Sequence, residues 1–383
     1  MREKSNILGA VAILVGTCIG AGIFGLPYVI SKVGIGIGAV YMFIMGIIVM
    51  FTTLAYGEVV LRTKGTHQFP QYVNIYLGPR WKQVAVISIF TGFYGALIAY
   101  LTECGIFLHS IFNPYFGGNL LIYQMIYFLI VTIAVWFGLG IIEKMEKVMF
   151  FAIIIIILLL VFFGAHYIEI DNLQTVNFSQ ILIPYGVILF AFTAASAVPN
   201  MKDVLLKNKK DLKKSIIIGS LIPLVIYLIF TIFVVGISGS NTSESAISGL
   251  EPYLGSSITL VGAIFGILTM TTSFLALGLV LKDVYVYDFK LNKTLACILV
   301  LLPVLIIVMG KFLTFIEIIG ISGALIGGIN GIIMVHMFNR AKTMSQKKPE
   351  YTINIPGFFI YIMYLVFIGG MIYEIYTVLN KYL

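Results

Sequence analysis

The sequence predicts an all-α integral membrane protein with about eleven transmembrane helices, and three observations lead there. Of the 383 residues 60% are hydrophobic and only 10% are charged, whereas a soluble domain carries roughly 25% charged residues. Runs of about 20 apolar residues, each long enough to cross a hydrocarbon layer of roughly 30 Å, recur from end to end. The basic residues between the runs fall almost wholly on one side. With the N-terminus inside, only Lys32, Lys311 and Lys381 of the 24 Lys and Arg lie outside, as expected if basic loops stay in the cytoplasm. This reading puts the C-terminus outside and the protein in the cell membrane.

Apolar length, and the charged or turn-rich residues that punctuate it, place the spans near 6–31, 35–61, 83–112, 119–140, 148–168, 180–200, 213–238, 254–281, 294–310, 312–338 and 356–379. Lys32 closes the first span, and Arg62 and Lys64 the second. Arg80 and Lys82 precede the third, and Lys144 and Lys147 separate the fourth from the fifth, "VMFFAIIIIILLLVFFGAHYI", which is uninterrupted. The basic run "KNKKDLKK" at 207–214 divides the sixth from the seventh. It suits an inner loop facing anionic lipid, so the net charge of +8 needs no nucleic-acid partner. Lys282, Lys290 and Lys293 lie between the eighth and ninth, Lys311 before the tenth, and Arg340 to Lys348 before the eleventh. The connections are too short for a soluble domain, and the first apolar stretch is longer than the core of a cleavable signal peptide. Cys18, Cys104 and Cys297 all fall within apolar spans, so no disulfide framework is expected.

The first span contains "GTCIGAGIFGLP". Its GAGIFG resembles a phosphate-binding turn, but that turn needs a strand before it and an aqueous face, and neither is expected here. Gly16 and Gly20 suit close helix packing. Packing does not account for Gly22, Gly25 and Pro27 in the same segment. A locally unwound helix does, because glycine tolerates irregular backbone and proline suits the first turn of a restarted helix. The sixth span, "ILIPYGVILFAFTAASAVPNM", shows a second break, with Pro184 and Pro199 flanking small residues from Ala191 to Ala197. Five spans separate the two breaks, so the broken helices run in opposite directions, as in an inverted repeat with its transport site at the centre.

Unwound backbone at mid-bilayer leaves polar groups that hydrocarbon penalises by several kcal/mol each, so a polar solute is expected there. The amides of Ala21, Gly22 and Ile23, at the start of a restarted helix near Phe24, suit a carboxylate. The carbonyls of Cys18 and Ile19, with those of Phe190, Phe192 and Thr193, suit an ammonium group. Together they match a zwitterionic amino acid. Phe24, Phe190, Phe192 and Tyr100 are candidate walls for an apolar or aromatic side chain. In the eighth span Thr269, Thr272 and Ser273 share one helix face and offer hard oxygens to a small cation, or bond back to their own helix. Glu103 in the third span is an intramembrane carboxylate, a functional candidate by default, here for carrying a proton. His67, His109, His166 and His336 are scattered, so neither catalysis nor a bound cofactor is expected.

"GTCIGAGIFGLP" resembles the first-helix motif of the amino acid–polyamine–organocation superfamily, which shares the LeuT-type fold. "AYGEVVLRTKG" at 55–65 and "YLG" at 76–78 resemble the second helix and following loop of its amino acid permeases. "TSFLALGLVLKD" at 272–283 is similar to the corresponding segment of the aromatic amino acid permeases, the tyrosine and tryptophan transporters. The resemblance implies one transmembrane domain of two inverted five-helix repeats, about 6–168 and 180–338, with an extra helix at about 356–379. It also implies alternating access and uptake of an amino acid with a cotransported ion. It assigns the carboxylate turn to Gly20, Ala21 and Gly22, a second contact set to Phe190 to Ser196, and a sodium position to the carbonyls of Gly16 and Ile19 with Thr269, Thr272 and Ser273. The fifth span has no lysine in place of that ion, while the aromatic permeases are regarded as proton-coupled, so Na+ and H+ both stand. The alternative is an amino acid sensor related to the membrane subunits of spore-germination receptors.

Overall fold

The computed structural model describes residues 6–137, 152, 155–206 and 208–382. Among them, nine helices are long and apolar enough to cross a membrane, or ten when Ile7–Cys18 and Gly22–Val33 are taken as one bent span. The expected fifth span, 148–168, falls partly outside the described residues; Ile155–Tyr167 is an apolar helix. The described elements are helical and cross the layer repeatedly, as a chain must when no water is at hand to satisfy an open strand edge.

The spans keep the expected order. The second is Ile35–Arg62, the third Pro79–Phe116, the fourth Leu120–Phe137. The seventh is Leu212–Ser238, the eighth Ser256–Asp283, the ninth Lys293–Gly310 and the eleventh Gly357–Tyr382. The third is longer than the apolar run implies. Gly78 turns with φ 89° and Pro79 starts the helix at once; proline fits there because a first-turn amide needs no partner. Its 38 residues rise about 57 Å, well beyond a roughly 30 Å layer, so the helix protrudes or tilts.

Span 1 starts at Asn6, whose side chain accepts from the Gly9 amide at 2.9 Å, and bends by 57° between its two halves. Span 6 is Pro184–Phe192, a 3-10 turn at Ala195–Ala197, then Val198–Val204. Gly22–Val33 packs on Pro184–Phe192, and Ile7–Cys18 on Val198–Val204. The two broken spans therefore lie antiparallel with their breaks level. Span 10 is also irregular: Phe315–Ile321 and Gly328–Thr343 flank a π-helix at Ser322–Gly327. There spans 6 and 10 nearly touch, since a Cβ on Gly323 would collide with the Gly186 carbonyl.

One end of the bundle is tied by polar bonds. Glu58, fully buried, pairs with Arg62 at 2.7 Å and accepts the Ile353 amide at 2.6 Å. The Arg62 carbonyl accepts from the amides of Gln346 and Lys347, both at 3.1 Å. The linker between spans 10 and 11 is thus fastened to span 2. The loop after span 2 also meets span 6: Lys202 donates to the Gly65 carbonyl at 2.9 Å and Thr66 to Asp203 at 3.3 Å.

Candidate functional site

At the first break the ladder stops at Ile19, whose amide still reaches Val15 at 2.8 Å. The Gly20 amide turns back to the Cys18 carbonyl at 3.0 Å, and the Phe24 amide to the Ala21 carbonyl at 3.1 Å. Among the described residues, none of the main-chain bonds at this break uses the amides of Ala21, Gly22 or Ile23. Three donors therefore stand at the head of Gly22–Val33, the positive end of a helix dipole. Pro27 is not in the first turn, as the sequence suggested, but sixth in that helix. Lacking an amide, it deprives the Ile23 carbonyl of its helical partner and weakens the segment just past the break.

At the second break the main chain is better satisfied. The Thr193 amide donates to the Leu189 and Phe190 carbonyls at 3.1 and 3.3 Å, and its hydroxyl to Leu189 at 2.7 Å. Behind it a small cavity is lined by Thr52, Thr53, Thr193, Ala194, Gly327 and Gly331. The breaks touch directly. A Cβ on Gly22 would come within 2.7 Å of Ala191 Cα and Cβ, so only glycine fits there. The Cys18 thiol donates to the Phe192 carbonyl at 3.6 Å. Tyr227 of span 7 reaches the carbonyls of Cys18 and Ala191 at 2.8 and 2.9 Å.

The expected acceptors divide accordingly. The carbonyls of Cys18, Phe190 and Phe192 already receive protein donors, while those of Ile19 and Thr193 take none of the main-chain bonds at the breaks. Tyr100 lies at the first break: its hydroxyl is 3.2 Å from the Cβ position of Gly20, with Ser273 beside it. Phe24 is buried edge-on against Phe107 and Phe230, at ring separations of 5.3 and 6.3 Å. Phe192 points elsewhere, its ring against Tyr227 and within 3.5 Å of the Cβ position of Gly46. Phe190 is half-buried beside Gly323 of span 10. Ser196, in the 3-10 turn, is exposed.

The hydroxyls of Thr269 and Thr272 bond back to their own helix, Thr269 to Phe265 and Gly266 at 3.1 and 3.0 Å and Thr272 to Thr269 at 2.8 Å. Their lone pairs stay available to a cation. The half of span 1 that bears Gly16 packs chiefly on span 7, whereas span 8 packs chiefly on span 3. Glu103 is fully buried, and among the described residues neither carboxylate oxygen has a hydrogen-bond partner. Ser245, in the loop after span 7, is its polar neighbour. Sequence reasoning missed Tyr227, Phe107 and Phe230. Tyr227 carried a readable signal, a hydroxyl midway along an apolar span that must find a partner.

Antiparallel broken spans that meet inside a helical bundle, with free main-chain donors between aromatic side chains, define a multi-span membrane permease. Residues 3–376 match the tryptophan/tyrosine permease family, and the chain belongs to that family. The tyrosine-specific transport system 1 of Haemophilus influenzae is 24% identical over 296 residues, covering 73% of this chain and 72% of the relative. Glutamine transporter 2 of Aliivibrio fischeri is 24% identical over 288 residues, 73% of this chain and 74% of the relative. The low affinity tryptophan permease of Proteus vulgaris is 25% identical over 329 residues, 76% of each. These relatives are transport proteins and not enzymes, and this chain is an amino acid transporter.

Proposed function

We propose that the chain is a secondary active symporter of an apolar or aromatic amino acid. It works by alternating access between two inverted five-helix repeats, about 6–168 and 180–338, in the LeuT-type arrangement, with the N-terminus inside and the eleventh helix outside the repeat pair. The observation that carries this reading is the contact of the two breaks, Gly22 against Ala191, inside the bundle. The amides of Ala21 to Ile23 take the carboxylate. The Ile19 and Thr193 carbonyls, with those now held by Tyr227, take the ammonium. Phe24 and Tyr100 line the side-chain pocket, backed by Phe107 and Phe230. Relatives named for tyrosine, tryptophan and glutamine make these three the substrates to compare.

The coupling ion in this reading is a proton carried by Glu103. A fully buried ionised carboxylate with only the Ser245 hydroxyl beside it is expensive, and a proton removes the charge. A Na+ site at Gly16, Ile19, Thr269, Thr272 and Ser273 is the competing assignment. Counterflow of labelled tryptophan, tyrosine and glutamine in proteoliposomes tests the carrier, and no saturable flux from folded protein rejects it. Uptake driven by a pH gradient alone, lost in Glu103→Gln, supports the proton. Uptake driven by a sodium gradient alone transfers the role to the hydroxyl site.

A further inference from the structure

Tyr227 bridges the two breaks through their carbonyls. It is completely buried, and its hydroxyl lies 2.8 Å from the Cys18 carbonyl and 2.9 Å from that of Ala191. Cys18 ends the first half of span 1, and Ala191 lies one residue before the end of the first half of span 6. The ring is set edge-on against Phe192 at 5.2 Å, which fixes where the hydroxyl points. A phenol has one hydrogen, so it is shared between the Ala191 carbonyl and that of Cys18, which also accepts the Gly20 amide at 3.0 Å. An ammonium group brings three hydrogens and has no such shortage.

We infer that the Tyr227 hydroxyl is a built-in substitute for the substrate's ammonium group, holding the two breaks together when the carrier is empty and yielding the carbonyls when the carrier is loaded. The inference rests on the amino acid site proposed above. Without the hydroxyl, the empty carrier buries the Ala191 carbonyl without a donor and leaves that of Cys18 only the Gly20 amide, which disfavours the closed states it passes through on its return. The loaded carrier has the ammonium and is affected less. Tyr227 is therefore a positioning residue for one half of the cycle. Net uptake requires the empty carrier to return, whereas exchange of labelled for unlabelled substrate does not.

The experiment uses the full chain in proteoliposomes with identical pH and salt on both sides. Labelled tryptophan, tyrosine and glutamine are each measured in two modes: net entry into empty vesicles, and exchange against saturating internal substrate. Absence of both fluxes in the unaltered protein defeats the carrier reading itself. If exchange is present, Tyr227→Phe is expected to lose about tenfold or more in net entry and less than about threefold in exchange. Phe192→Leu keeps the hydroxyl but loosens its support, and is expected to show the same split in smaller measure. It also serves as the measurement if Tyr227→Phe does not fold. Equal losses in the two modes, or no loss in either, overturn the inference.

Discussion

The two breaks interrupt the same kind of helix, yet they leave opposite chemistry behind. The first is made by glycine, without side chains to fold back, and leaves the amides of Ala21, Gly22 and Ile23 unused by neighbouring main chain. The second is closed by Thr193, whose amide and hydroxyl return to the turn before it. One break is a bare donor and the other a capped end with carbonyls beside it. The zwitterion site proposed above needs both, and "GAGIFG" and "FTAASA" differ in the side chains that set this contrast.

Substitutions that make the breaks alike should erase the site. The largest effect is expected for Gly22→Val, whose side chain must enter the space of the Ala191 main chain; overpacking of that kind should lower exchange by about a hundredfold. Circular dichroism would show that the helices persist. Gly22→Ala should be milder, and adding Ala191→Gly, which removes one of the two clashing carbons, should restore part of the loss, a coupling that a double-mutant cycle of transport rates would measure. Tyr100→Phe removes the hydroxyl near Gly20 and should raise KM about tenfold while changing maximal rate less than about twofold. Thr193→Val, at the capped break, should be smallest: about 1 kcal/mol of stability lost in thermal unfolding and less than about threefold in rate. A Thr193 effect larger than that of Gly22 would reverse the assignment of roles.

Apolar length, with the charged and turn-rich residues that punctuate it, located the described spans, because the bilayer demands roughly 20 apolar residues whatever the packing. The first break was legible from Gly20, Gly22 and Gly25, since that density has a backbone cause. Details that depend on rotation about the chain were not. Pro27 lies inside its helix because Gly22, not Phe24, restarts it. Ser196 sits in a 3-10 turn, whose angular step differs from that of the helix the sequence pattern implies. Phe192 lies between Tyr227 of span 7 and Gly46 of span 2, where the missing side chain leaves room for the ring. The third span extends back to Pro79 because a turn residue and a proline, not hydropathy, set its start. Tyr227 meets Cys18 across 209 residues of sequence, a distance at which spacing has no bearing.

The ties at the end of span 2 differ in how firmly they hold. Glu58, Arg62 and the Ile353 amide form a buried clasp, and removing one member strands a charge away from water. Thr66 with Asp203 is exposed, and water can replace such a bond at little cost. Any swing of the second half of span 6 must therefore break the wet tie and also the bond from buried Lys202 to the Gly65 carbonyl, while the Glu58 clasp stays shut. Span 2 and the 346–353 strap would stay still, as a door frame does, while the neighbouring half-helix moves.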